Sequence, residues 1–305
     1  DVYKRQHMKR LLLSVVGVCT MMFGAAATAG EAFSDHRMVL GVAEIITDPD
    51  SGEAGRVEWF QRDLGNAQLS HDFVPNDPRA SWKITSGDPV ITVAVKESNL
   101  SPDANLDDAL FWLYESSSVW EDNSCSKLVL EQFPGNSGLP GLVENFFAGG
   151  GINLGLVQAD ITQVGFRGVS AIFPPGTSTL GVAYTLFWVD GSGNFTDING
   201  DGKIDAALRE IYYNDQYEWA DNGTEGRQPD GTRVFDFPTV AIHEAGHGLS
   251  AAHFGNIGVK EQGGSLFLFA KPRAVMNAIY GGTYRDLGGR DVGSHCSNWA
   301  QWPLN

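Results

Sequence analysis

The stretch His243-Glu244-Ala245-Gly246-His247-Gly248-Leu249-Ser250-Ala251-Ala252-His253 constrains this chain more than any other. Phe237-Pro238-Thr239-Val240-Ala241-Ile242 leads into it and reads as a helix start, with Pro238 tolerated in the first turn. On a helix, residues four apart share a face, so His243 and His247 can address one ion. His253 reaches the same point only if the helix ends near Gly248 and the chain turns back. The fold must therefore supply a helix and a sharp reversal. The chain has only 7 histidines, so three of them in one such window is a specific signal. The bland alternative is a helix with two surface histidines and a salt-bridging glutamate.

The residue types suit a catalytic metal. Two imidazoles do not complete a zinc site; a third ligand is needed, and a fourth position stays open for water in a catalytic centre. Glu244 follows the first ligand and projects toward that open position. A carboxylate there can take a proton from a water acidified by the metal and later return it to a leaving amine.

The pattern resembles the metzincin clan, whose motif is H-E-x-x-H-x-x-G-x-x-H followed by a methionine turn. Here Ser250 stands where the clan usually has glycine. Downstream, Ala274-Val275-Met276-Asn277-Ala278-Ile279-Tyr280 resembles the matrixin form of that turn, with Met276 23 residues after His253. The resemblance implies that Met276 lies beneath the metal and that Tyr280 walls the substrate pocket. Ala278 replaces the usual proline. Asp291 to Trp299 is similar to the closing helix of matrixin-type domains. Neither a cysteine-switch motif nor the extra histidines of a structural zinc site are present, which marks a divergent, bacterial-type secreted member.

The N-terminus reads as a targeting segment. Residues 1–7 precede the expected initiator Met8 and are set aside as an artefact. Residues 8–29 have the basic start, apolar run and Ala27-Thr28-Ala29 cleavage site of a signal peptide. A membrane anchor is the alternative, and Val18 before Cys19 is a poor fit to lipidation. The expected product is secreted, extracellular or periplasmic, with no stable membrane insertion after cleavage. From Gly30 on there are 17 basic residues (21 less 4) against 36 acidic (37 less 1), a net charge of −19. Such a surface argues against nucleic acid as a partner. Cys125 and Cys296 then remain, and in an oxidising compartment they are expected to pair, two buried free thiols being the alternative.

Short apolar runs alternate with Asp, Pro and Gly clusters over residues 30–88, a leading region that is either a propeptide or an extension packed on the rest. From residue 89 the pattern is more regular: strands over 90–95, 159–169 and 182–189, and a helix over 106–120 whose start is read at Ser101-Pro102-Asp103. Asp197, Asn199, Asp201, Lys203 and Asp205 follow the opening of a calcium loop, with Gly202 at its turn and Leu208 where a bidentate glutamate is expected. A plain Asp/Asn/Gly turn between strands is the alternative. His36 and His71 read as surface or hydrogen-bonded histidines, and His295 as structural.

The expected architecture is α+β: a metzincin-like domain over 89–305 with a twisted mixed sheet, an active-site helix and an irregular C-terminal subdomain carrying the methionine turn. The expected activity is that of a monomeric zinc endopeptidase, with catalytic Zn2+, structural Ca2+ and a polypeptide substrate paired along a sheet edge. The competing expectations are a secreted zinc-binding or structural protein without turnover, and a zinc hydrolase of a non-peptide amide.

Overall fold

The computed structural model describes residues 33–59, 71–83, 89–103, 106–262 and 265–304. The chain divides after Ser34, and the account below concerns the unit from Asp35 onward. The expected signal peptide, residues 8–29, and residues 1–7 lie outside the described residues. Among the described residues no helix is long and apolar enough to cross a membrane.

A mixed eight-stranded sheet forms the centre of this unit. Its strands are β1 (Arg37–Thr47), β2 (Val57–Trp59), β3 (His71–Phe73), β4 (Ile91–Val95), β5 (Leu130–Pro134), β6 (Ile161–Arg167), β7 (Thr179–Val189) and β8 (Ile204–Asn214). The order is β2-β1-β7-β8-β6-β4-β5, with β3 paired to the start of β8. Pairing is parallel from β8 through β6 and β4 to β5, and antiparallel from β8 through β7 and β1 to β2. Every residue of β7 is buried. That explains its near-continuous apolar sequence, because a strand covered on both faces has no polar side to alternate with.

Two cores flank the sheet. On one face, Ile91, Val93, Ile211 and Tyr213 pack with helix α1 (Ala109–Glu121) and helix α3 (Phe237–Gly248). On the other, Val182, Tyr184, Leu186 and Trp188 pack with Met38, Leu40 and the short helix α2 (Leu142–Asn145). Burying such side chains stabilises by roughly 1.5–3 kcal/mol each. Helix α1 starts at Asp108, whose carboxylate accepts from the Phe111 amide, rather than at the expected Ser101-Pro102-Asp103. Its Trp120 indole donates to the Ile242 carbonyl at 2.8 Å and fixes α1 against α3.

Beyond the sheet lie a small sheet of β9 (Glu218–Ala220), β10 (Gly226–Arg227) and β11 (Arg233–Asp236), a hairpin of β12 (Asn256–Gln262) and β13 (Ser265–Lys271), and helix α4 (Gly289–Trp299). Cys125 and Cys296 are joined, their Cα atoms 5.6 Å apart, so α4 is tied to the chain just after α1.

Strand β1 pairs with β7 along its whole length, and β3 pairs with β8, so these parts of the leading region, residues 30–88, share one sheet with the strands that follow residue 89. Strands adjacent in a sheet need not be adjacent in sequence.

Candidate metal centre

Helix α3 carries the site, and its two ends are built by recognisable local chemistry. Asp236 caps the start, accepting from the Thr239 amide at 3.0 Å. Arg285 pairs with the same carboxylate. At the far end, the Ser250 amide donates to the His247 carbonyl and the Ala251 amide to the Gly246 carbonyl. That is a Schellman stop, and it places Ser250 in the left-handed region at φ 66°. The serine found where the clan prefers glycine thus adopts the backbone that glycine would take. Its hydroxyl accepts from Arg209 at 2.9 Å and donates to Asp72 at 3.0 Å, which offsets the strain of a Cβ at positive φ.

The reversal brings His253 back to the other two histidines. The Nε2 atoms of His243 and His247 lie 3.0 Å apart, and those of His247 and His253 3.1 Å apart. Three nitrogens bound to one tetrahedral zinc would stand about 3.3 Å from one another, given Zn–N bonds of about 2.0–2.1 Å. The tautomers make the convergence informative. His243 Nδ1 faces the Val275 carbonyl at 2.8 Å, and His247 Nδ1 faces the Ala251 carbonyl at 2.8 Å. A proton on each Nδ1, facing its carbonyl, leaves the Nε2 lone pairs pointing at each other. That arrangement repels unless a cation sits among them. Burial, then the neighbouring imidazole, pushes His243 well below the ordinary histidine range; burial and both partner rings do the same to His253. Neutral rings are what a metal requires. Among the described residues this trio alone forms a group of three or more His, Cys, Asp or Glu able to hold a metal ion.

Glu244 is fully buried, and neither carboxylate oxygen has a hydrogen-bond partner. Burial, with Glu44 as a second cause, raises its pKa well above the usual value. It lies against β7: a Cβ added at Gly181 would stand 2.7 Å from Glu244 Oε1, so only glycine there lets the carboxylate approach the strand. An unpartnered buried carboxyl is costly in a purely structural role. It fits a residue whose partners are a water and a metal.

Met276 packs against helix α3. A Cβ at Gly246 would meet its sulfur at 2.5 Å, so the close approach of turn and helix depends on that glycine. The turn itself is held by α4, where Asp291 accepts from the Val275 and Met276 amides at 3.1 Å each. The Phe254 amide, next to His253, donates to the Met276 carbonyl at 2.7 Å. Tyr280 lines an apolar cleft with Ile279, Phe269 and Arg233. Its hydroxyl accepts from the Asp236 amide at 3.1 Å, linking the cleft wall to the cap of α3, and burial raises its pKa to about 12.

The candidate calcium residues do not form a ligand set. Asp197 accepts from the amides of Gly200, Asp201 and Gly202, and Asp201 accepts from the Lys203 amide. Asp205 is committed to Arg79 and Thr196, and the Lys203 ammonium pairs with Asp72. Asn199 belongs to the same turn between β7 and β8. Backbone amides, Arg79 and Thr196 take up carboxylate oxygens of this loop.

Sequence reasoning missed the buried polar group behind the site. Glu44 of β1 lies 3.3 Å from His247 Nδ1. Burial opposes its charge, but His247, His71 and Arg209 outweigh it and hold its pKa below the ordinary value. Arg209 also donates to the Gly248 carbonyl at 2.8 Å and contacts His71 Nδ1 at 2.8 Å. His71 is thus buried, not a surface residue. Glu44 is a charge inside a strand that is otherwise nearly all apolar, and a fully buried charge demands a partner, but the sequence does not show which. His295 is structural, buried against Trp120 and Trp299.

No protein-family model and no curated protein matches this chain.

Proposed function

We propose that the chain is a secreted zinc-dependent endopeptidase of metzincin-like, matrixin-like type. The convergence of three Nε2 atoms beside the unpartnered Glu244 carries this reading. His243, His247 and His253 would hold the metal, which when bound would polarise a peptide carbonyl and acidify a water. Glu244 accepts the proton of the attacking water and delivers it to the departing amine nitrogen. Its raised pKa suits the second task, and its place against Gly181 holds it still. The carbonyls of Val275 and Ala251 keep the two helix imidazoles in the tautomer that presents Nε2. Tyr280 and Ile279 supply an apolar wall for a substrate side chain.

Replacing Glu244 with Gln should abolish cleavage of a peptide library, a loss of about 10²-fold or more, while one zinc per chain remains bound by elemental analysis. Chelation of the unmutated protein should also stop cleavage, and zinc should restore it. A metal-holding protein without turnover draws on the same site. Absence of any cleavage by the zinc-loaded protein, with the site open, would favour it. Mass spectrometry of the digested library separates a peptidase from a hydrolase of other amides by showing cut peptide bonds.

A further inference from the structure

His243, Glu244 and His247 have no exposed surface, and His253 is only partly exposed, although an endopeptidase must admit an extended chain. The strand packed against His247 is β1. Its C-terminal half runs between β7 and the segment after Met276: Glu44, Ile45 and Ile46 pair antiparallel with Ala183, Val182 and Gly181, while Thr47 bridges Ile279 in parallel. The Tyr280 amide donates to the Thr47 carbonyl at 3.1 Å, and the Gly55 amide to the Ala278 carbonyl at 3.0 Å. Along the strand, Glu44 faces His247 and Ile46 joins the core that holds Met276 and Tyr280. Ala43 and Ile45 turn to the opposite core. A peptide recognised by strand addition uses this main-chain edge of β7 and these alternating pockets. Two strands cannot hold one edge.

We propose that β1 occupies the place of an extended peptide substrate, and that the site opens by withdrawal of the β1–β2 hairpin from β7; this rests on the endopeptidase reading. Three features make the hairpin separable. It lies at the end of the sheet, so its departure leaves the order β7-β8-β6-β4-β5 intact. Its outer edge carries only three residue pairs with β2, together with the contacts of Thr47 and Gly55 to the segment from Ala278 to Tyr280. Glu44 Oε2 is buried without a hydrogen-bond partner, so the strand is seated less favourably than an apolar one would be.

The test locks the strand in place. Ile45→Cys with Val182→Cys joins a registered pair facing away from the metal; Ala43→Cys with Tyr184→Cys is the second choice should the first fail to fold. Zinc-loaded full chains are compared oxidised and mildly reduced, the unmutated chain serving as control for the reductant. A peptide hydroxamate should speed amide exchange over residues 37–47 by about tenfold or more in the unmutated and reduced proteins. The cross-link should abolish that acceleration and lower peptide-library cleavage by about tenfold or more, reversibly. Hydroxamate binding without faster exchange of β1, no binding in either state, or cleavage by the cross-linked protein at the unmutated rate would overturn the proposal. In the last case the peptidase reading stands. If β1 is displaced but no peptide is cut, the peptidase reading falls and the strap remains.

Discussion

Ser250 is a residue whose two roles oppose each other, and that makes it measurable. Its left-handed backbone costs a non-glycine residue about 1–2 kcal/mol, while its hydroxyl joins Arg209 to Asp72 in a buried network. Ser250→Ala keeps the backbone strain and leaves both partners short of a hydrogen bond, so it should destabilise by about 2–4 kcal/mol. Ser250→Gly loses the same bonds but relieves the strain, and should be less destabilising by about 1 kcal/mol. Urea unfolding of the two variants gives the order directly; a glycine variant no better than alanine would refute the account of the turn. At this scale the ligands His243, His247 and His253 were legible because metal chemistry forces residue types at helical spacing. Glu44 and Arg209 were not, because their partners come from strands far away in sequence.

Among the elements, α3 was legible to its last turn, since its cap, its proline and its ligand spacing all lie within one local window. Helix α1 was legible in kind but not in start, because Asp108 caps it where Asp103 seemed equally suitable. Helix α4 was seen only through the resemblance, and its role, holding the methionine turn by Asp291, is a long-range contact. The same helix carries an acid sensitivity. His295 is buried against two tryptophans with neither nitrogen hydrogen-bonded, and burial lowers its pKa from 6.5 to about 4. Between those two values the unfolded chain binds a proton that the folded chain refuses. Stability from this group is therefore complete above pH 6.5 and declines as pH falls toward 4. The loss is on the order of 2–4 kcal/mol across that window. His295→Phe should flatten the acid limb of a stability–pH curve measured by urea unfolding. An unchanged limb would mean that the imidazole is not what resists protonation.

For the whole molecule, the sheet order was not legible from composition: β1 enters before residue 89 yet lies beside β7. The disulfide acts on the same scale. It closes a sequence separation of 171 residues, and loop-closure entropy for such a span sets an upper bound near ~5 kcal/mol on what it contributes. Its position matters as much as its length. Cys296 sits on α4, whose Asp291 holds the backbone of Val275 and Met276, and the Val275 carbonyl in turn orients His243. Loosening α4 should therefore slacken the metal site as well as the fold. Replacing both cysteines with serine should lower the unfolding free energy by a few kcal/mol and weaken zinc binding by about 10-fold or more. Both are readable at a temperature where the variant is still folded by circular dichroism. A variant that loses stability but binds zinc as tightly as the parent would show that the site is held by α3 and the chain reversal at Ser250 alone, with the path through α4 playing no part.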